Sequence, residues 1–312
     1  FEAELDRPGP PRRGIWGDYV EGTARALASR GVEVIGANLL IDSDVPHGAG
    51  LSASAALETS VGLALAALAG KADIDRVTLA LAGQAAEHEY VGTLCGIMDQ
   101  YIAALGVERH ALLVDCRSLE ATRVPMALPG AKLVVIDTTV KHELASSAYN
   151  ERRAQCEEAV RLLQPALPGI SALRDVSVDA FEQHANLLPE TVKRRARHVV
   201  TENARTLEAV GALRRGDLGA FGMLMKSSHV SLRDDYEVSC PELDLAVEEA
   251  LSVPGVYGAR MTGGGFGGCA IALVREEAAS ELGTRVTRAL AERFGRAARS
   301  FVTAAADGAR ED

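Results

Sequence analysis

The sequence lacks any apolar run long enough to cross a bilayer, and it has few cysteines. Its most apolar stretch, residues 61–69, is far shorter than the roughly 20 residues that a transmembrane helix needs. The five cysteines are scattered and odd in number, and none forms a CxxC pair, which argues against a disulfide framework and a zinc site. We therefore expect a protein of a reducing compartment, located in the cytoplasm without membrane contact.

Basic residues are also in the minority. The 33 lysines and arginines face 43 acidic residues, so the formal net charge is −10 and broad attraction to nucleic acid is not expected. Any phosphate site must therefore be local. A content of 47% hydrophobic and 24% charged residues is typical of a globular protein, and 312 residues suffice for two cores of ordinary size.

The order of the predicted elements indicates an α+β fold, with helices on one face of a largely antiparallel sheet. We predict strands at residues 32–41, 111–114, 132–137, 256–260, 269–274 and 300–303. We predict helices at residues 54–69, 74–90, 151–163, 191–213, 218–228, 242–251 and 276–294. A loop at residues 125–130 predicts the boundary between an N-terminal domain, residues 1–129, and a C-terminal domain, residues 130–312.

The most informative segment is PHGAGLSASAALE, residues 46–58. Gly48 and Gly50 let the backbone approach a ligand closely, while Ser52 and Ser54 place hydroxyls where a helix begins. Free N–H groups and the helix dipole favour an anion at such a start. The segment is neither the GxxxxGK[ST] pattern nor the GxGxxG pattern. On its own it fits a phosphate cradle or an ordinary glycine turn with a serine N-cap.

Two further segments carry unusual residues. In CGIMDQ, residues 95–100, Asp99 follows Gly96 and two apolar residues, where an unpaired carboxylate is costly unless it binds a metal or a substrate. MTGGGFGGC, residues 261–269, holds five glycines in nine positions, which is denser than a single turn requires. The alternatives are a solvated surface carboxylate for Asp99 and a long flexible hairpin for the glycine segment.

The first and last of these segments resemble motifs of the GHMP small-molecule kinases. PHGAGLSASA resembles their second motif, P-x-G-x-G-L-S-S-S-A, with Ala53 at the middle serine, and MTGGGFGGC resembles their third. The resemblance implies that the second motif wraps the phosphates of ATP and that its last serine, Ser54, ligates Mg²⁺. The residues of this loop are Gly48, Ala49, Gly50, Leu51, Ser52, Ala53 and Ser54. For the third motif it implies a supporting role of Gly263, Gly264 and Gly265.

Other segments resemble one branch of these kinases, the galactokinases. They are AEH (86–88), CGIMDQ (95–100), DCRSLE (115–120), HELASSAYNERR (142–153) and SLRDDYEVSCPELD (231–244). The resemblance implies that Glu87 ligates Mg²⁺ together with Ser54. It implies that Asp99 faces the sugar hydroxyl that attacks the γ-phosphorus and accepts its proton, and that Gly96 and Tyr149 contact the sugar. Trp16 matches a tryptophan near the adenine pocket.

The same resemblance implies a fold and an activity. The fold is a two-lobed GHMP kinase fold, with an N-terminal lobe like ribosomal S5 domain 2 and a ferredoxin-like C-terminal lobe. The activity is transfer of the γ-phosphate of ATP to the 1-hydroxyl of galactose in the Leloir pathway, by a monomer. The first family motif, which reads like GRVNLIGEHTDYNGG, has no counterpart here. We therefore expect a chain truncated at its N-terminus and impaired in turnover.

Two alternatives to this activity stay open. A kinase for N-acetylgalactosamine or another sugar would carry the same motifs, because part of the pocket wall belongs to the missing one. A noncatalytic sensor that binds ATP and galactose would use the same fold. The presence of Ser54, Glu87 and Asp99 argues against the sensor.

Overall fold

In a computed structural model, the described residues are 1–6, 13–46, 48–141 and 145–311. They form two compact units. The first consists of Phe1–His47, Ser52–Pro125 and Ala305–Asp312, and the second of Gly48–Leu51 and Met126–Ala304. The domain boundary at residues 129 and 130 stays a prediction.

The first unit is mostly helical. Its elements are α1 (Gly17–Ser29), α2 (Ala53–Leu68), α3 (Arg76–Ala86), α4 (Met98–Leu105), β1 (His110–Val114) and β2 (Ala121–Pro125). Asp75 caps α3 by accepting a hydrogen bond from the backbone N–H of Thr78, at 2.9 Å. Gly70, at φ +74°, follows the C-cap of α2, and its left-handed conformation lets the backbone leave the helix.

The helices of the first unit pack through small and aliphatic side chains. Leu27 of α1 meets Val61 and Leu65 of α2, while Leu79 of α3 meets Tyr101 of α4. Tyr101 is fully buried, and its hydroxyl donates to the backbone carbonyl of Leu119 at 2.9 Å. Burial of one such side chain stabilises a fold by roughly 1.5–3 kcal/mol. The start of α2 and the start of α4 are thereby fixed within this one unit.

The strand predicted at residues 32–41 is wrong. This stretch has no regular structure, and Leu40 is 99% exposed while Ile35 is 42% exposed. A strand needs a neighbour for its N–H and C=O groups, and no strand of the described residues pairs with this segment. Its β-branched composition is therefore not sufficient to make it a strand.

A four-stranded antiparallel sheet forms the centre of the second unit. Its strands are β3 (Ala131–Asp137), β4 (Val256–Met261), β5 (Cys269–Arg275) and β6 (Arg299–Thr303), in the order β4-β5-β3-β6. Its helices are α5 (Ala145–Leu163), α6 (Val178–His184), α7 (Glu190–Arg214), α8 (Leu218–Asp234), α9 (Pro241–Leu251) and α10 (Ala279–Phe294). No helix of the described residues combines the length and the apolar character that crossing a bilayer requires.

Helices lie on both faces of this sheet, whereas the sequence predicted one. Val134 and Ile136 of β3 share a core with Leu243 of α9 and Leu290 of α10. Leu133 points to the opposite face, in a core that includes residues of α8, because side chains alternate along a strand. The predicted α+β architecture is otherwise present.

Candidate active site

The loop at residues 48–51 lies in the second unit, against the glycine-rich loop that follows β4. Gly48 and Gly50 have φ values of +71° and +69°, which side chains rarely adopt. A Cβ added to Gly263 would lie 2.9 Å from the carbonyl oxygen of Gly50, and one added to Gly268 would lie 2.7 Å from that of Ala49. The two loops are therefore in backbone contact, and the high glycine content is explained by this contact.

Helix α2 begins directly after this loop. Ser52 occupies the N-cap position of α2 with a left-handed φ of +58°, and its side chain makes no capping hydrogen bond. The first turn of α2 carries no acidic residue. Backbone N–H groups of a first turn have no partner within the helix, and the helix dipole there favours negative charge. This start can therefore bind an anion.

Glu87 lies where α3 passes into one π-helical turn, Glu87–Val91. Such turns are rare and are often found at functional sites. Its side chain is buried, and a hydrogen bond joins it to the Ser54 hydroxyl. Burial raises the pKa of Glu87 above its usual value, the Ser54 bond opposes this, and repulsion from Asp99 adds to it.

Asp99 stands in the first turn of α4 and is half-buried. Burial raises the pKa of its carboxyl, and a hydrogen bond with the Ser52 hydroxyl partly offsets that rise. The first unit thus brings together four of the predicted site residues, which are Ser52, Ser54, Glu87 and Asp99. Two carboxylates with raised pKa values in one place favour a bound cation.

The donor set fits a hard divalent cation. Such a cation binds oxygen ligands, and Mg²⁺ commonly takes one or two carboxylates together with substrate phosphates and water. Glu87 and Ser54 offer a carboxylate and a hydroxyl that already lie within hydrogen-bonding reach of each other. Among the described residues, no group of three or more His, Cys, Asp or Glu could hold a metal ion by itself.

The remaining predicted residues are placed as follows. Gly96, in the first unit, is exposed and has no atom within 4 Å of the position that a Cβ would take. Tyr149 lies in the second unit, near Gly264. Trp16 is 55% exposed, and the Phe1 ring meets it edge-on at 5.7 Å between centroids. The sugar and adenine contacts of these residues stay predictions.

Two further charged residues of these surroundings were not among the predicted site residues. Lys141 lies beside the loop, where a Cβ on Gly48 would be 3.5 Å from its Cε. Glu58, one turn after Ser54, is fully buried and accepts a hydrogen bond from Gln100 at 3.1 Å. A charged residue inside the apolar stretch of α2 was the signal for Glu58. Lys141 left no such signal, since it is 93 positions away from Gly48.

Family models match both units of the chain. The model of the GHMP kinase N-terminal domain matches residues 18–107, and the model of the GHMP kinase C-terminal domain matches residues 209–292. These matches cover more than half of the chain. They confirm the predicted fold class, a GHMP kinase fold.

Individual relatives show to which branch of the GHMP kinases the chain belongs. The chain is 50% identical to a galactokinase of Chloroflexus aggregans over 293 residues, which is 94% of this chain and 75% of that protein. It is 46% identical to a human galactokinase over 306 residues, 97% of this chain and 74% of that protein. A crystal structure of Lactococcus lactis galactokinase complexed with galactose matches with a TM-score of 0.91 and 38% identity, covering 97% of this chain and 78% of that one. The chain belongs to the GHMP kinases and, within that family, to the galactokinases. It is an ATP-dependent sugar kinase.

Proposed function

We propose that this chain transfers the γ-phosphate of ATP to the 1-hydroxyl of galactose, giving galactose 1-phosphate and ADP. One observation carries the proposal for the site itself. Ser54, Glu87 and Asp99 converge within one unit, and both carboxyls have raised pKa values. The names of the relatives support galactose as the acceptor.

The phosphates of ATP would bind at residues 48–54. The backbone N–H groups of this loop and the start of α2 supply hydrogen bonds and a favourable dipole. Ser54 and Glu87 would hold the divalent cation that accompanies ATP, and we propose Mg²⁺. When bound, this cation neutralises charge on the phosphates. Phosphoryl transfer depends mainly on such positioning and charge neutralisation.

Asp99 would orient the sugar hydroxyl and accept its proton. The hydroxyl oxygen forms a bond to the γ-phosphorus, the bond from that phosphorus to the bridging oxygen breaks, and ADP leaves with the electron pair. A carboxyl oxygen of Asp99 takes the proton. The raised pKa of Asp99 makes it a better proton acceptor than an ordinary aspartate, and the Ser52 hydroxyl holds its orientation.

The finer features of the function are part of the proposal. Gly96 and Tyr149 would contact the sugar, and Trp16 would lie near the adenine. Residues 1–129 and 130–312 would be the two domains of a cytoplasmic monomer. The cysteines support a reducing compartment, because all five are free thiols. Size-exclusion chromatography with light scattering tests the monomer.

Acceptor specificity is the direct test. ADP release is measured with galactose, N-acetylgalactosamine and glucose, and the phosphorylated product is identified by NMR. We expect release with galactose and a phosphate on its anomeric carbon. Faster ADP release with N-acetylgalactosamine would identify that sugar as the acceptor in place of galactose. Binding of ATP and galactose without ADP release would favour the noncatalytic sensor.

A further inference from the structure

A polar pair lies buried behind the carboxylates of the first unit, and the mechanism does not use it. Glu58 on α2 is 0% exposed and Gln100 on α4 is 1% exposed. The side-chain amide of Gln100 donates to Glu58 Oε2 at 3.1 Å. Burial of such groups costs free energy, so apolar residues would serve better if the pair only filled the core.

The pair leaves two oxygen atoms without partners. Glu58 Oε1 and Gln100 Oε1 are both buried, and neither has a hydrogen-bond partner among the described residues. A proton on the Glu58 carboxyl gives it an O–H donor, while the amide oxygen of Gln100 is an acceptor. A neutral Glu58 carboxyl and the Gln100 amide therefore offer matching donors and acceptors.

The surroundings of Glu58 agree with a neutral carboxyl. Burial raises its pKa to about 9, with repulsion from Glu87 as the second cause and from Asp99 as a weaker one. Burial raises the pKa values of the nearby Cys95 thiol and of the Tyr19 phenol of α1, and repulsion from Glu87, followed by Glu58, adds to the rise. All four groups become neutral or negative on titration, so none of them stabilises a charge on Glu58.

Helix α3 leaves room for the pair at Gly83. A Cβ added to Gly83 would lie 3.0 Å from Glu58 Oε2 and 3.1 Å from Gln100 Cγ. These distances are closer than ordinary van der Waals contacts. Gly83 costs helix stability relative to alanine, by roughly 1 kcal/mol. Three helices thus meet at one layer, with a glycine where the pair needs space.

On each of the three helices, the residue of this layer lies one turn or one position from a predicted site residue. Glu58 follows Ser54 by one helical turn, Gly83 precedes Glu87 by one turn, and Gln100 directly follows Asp99. Gln100, held in the core by Glu58, acts together with the adjacent buried Tyr101 to fix the rotation of α4 about its own axis. The direction of the neighbouring Asp99 side chain is fixed with it.

We propose that Glu58 and Gln100 are a positioning pair for phosphoryl transfer, which sets the first turn of α4 and thereby aims Asp99 at the sugar hydroxyl. The inference rests on the proposed role of Asp99. Neither Glu58 nor Gln100 touches a substrate in this account. Their contribution is geometric, and it requires a neutral donor and acceptor at position 58.

Two substitutions of Glu58 in the full chain test the pair. Leucine has a similar size but leaves the Gln100 amide unpaired, so Glu58→Leu should lower kcat by about tenfold to a hundredfold with KM for ATP little changed, as expected for a misplaced catalytic group. Glu58→Gln keeps a donor and an acceptor facing Gln100 and should restore kcat to near the original value. Failure of Glu58→Gln to restore it would overturn the proposal.

A milder variant covers the case in which Glu58→Leu does not fold. Gly83→Ala crowds the pair without removing it, and we expect a lower kcat with a melting temperature near the original. Its matched control is Gly62→Ala, a helical glycine of the same unit whose added Cβ would meet Leu79 Cδ1 at 2.5 Å. Gly62→Ala should lower the melting temperature and leave kcat unchanged.

The outcomes separate this inference from the proposed function. Lower stability with unchanged kcat in both Glu58→Leu and Gly83→Ala would make the pair purely structural and overturn the inference. If Asp99→Ala abolishes turnover while those variants keep it, only the inference fails. If Asp99→Ala itself keeps full turnover, the proposed role of Asp99 fails and the inference fails with it.

Discussion

The two units differ in the kind of group that each presents. In the first unit, the relevant groups are side chains, namely the hydroxyl of Ser54 and the carboxyls of Glu58, Glu87 and Asp99. In the second, residues 48–51 and 263–268 are in backbone contact, packed so closely that a methyl group would collide with a carbonyl oxygen. Chemistry and loop geometry can therefore be tested separately. A substitution of a carboxyl in the first unit should change the reaction, and one in the loops of the second should change the shape of those loops.

The largest change in kcat should come from a substitution of Asp99. Removing its carboxyl in Asp99→Ala should lower kcat by about 10³-fold, because proton transfer to a positioned base is lost. KM for ATP should stay close to the original, since Asp99 is not proposed to contact ATP. Steady-state kinetics with galactose measures both quantities. Asp73→Ala, at an exposed position, is the control, and turnover of Asp99→Ala equal to that control would contradict the prediction.

Gly268→Ala should produce the opposite pattern. Its φ of +79° is strained for alanine, and the new Cβ would lie 2.7 Å from the carbonyl oxygen of Ala49. We expect a loss of about 3 kcal/mol in the free energy of unfolding and a higher KM for ATP. Gly130→Ala is the matched control, because φ there is +66° but no atom lies within 4 Å. Urea unfolding of both variants separates the effect of the contact from the effect of the positive φ. Equal losses of unfolding free energy in the two variants would contradict a role of the contact with Ala49.

Part of the pH dependence of stability should come from Glu58 in the first unit. The pKa of Glu58 is raised from 4.5 to about 9, so the folded state binds a proton that the unfolded state has released. The contribution of Glu58 to stability should therefore fall as the pH rises from 4.5 towards 9, the sign expected when the folded state binds more protons. Melting temperatures of the metal-free protein and of Glu58→Gln, measured across this range, test the assignment. Parallel curves would contradict it.

The smallest effect should come from Lys141. Its side chain is exposed and lies next to Gly48 in the loop. An exposed charge interaction is typically worth about 0.2–1 kcal/mol, so Lys141→Ala should raise KM for ATP by no more than about fivefold. Added salt should narrow the difference between the variant and the original, since salt screens the exposed charge. An unchanged KM for ATP at low salt would show that Lys141 does not contribute to phosphate binding.

Local patterns predicted the parts of the site that depend on neighbours in the sequence. The glycines and serines of residues 48–54 and the position of Asp99 behind Gly96 were visible in this way. Glu58 was visible only as a charged residue within an apolar helix, and its role was not, because its partner Gln100 is 42 positions away and only the packing of helices brings the two together. The strand prediction for residues 32–41 was wrong for a related reason, since strand formation depends on a pairing partner that local composition cannot supply.

The cysteines give this chain one natural attachment point for a probe. Only Cys116 is exposed, in the turn between β1 and β2, and the other four are buried or half-buried. Burial raises the pKa of the thiols of Cys95, Cys156, Cys240 and Cys269, which suppresses the reactive thiolate. A maleimide dye should therefore label a single known position without any engineering. Fluorescence from that position would report on the first unit alone.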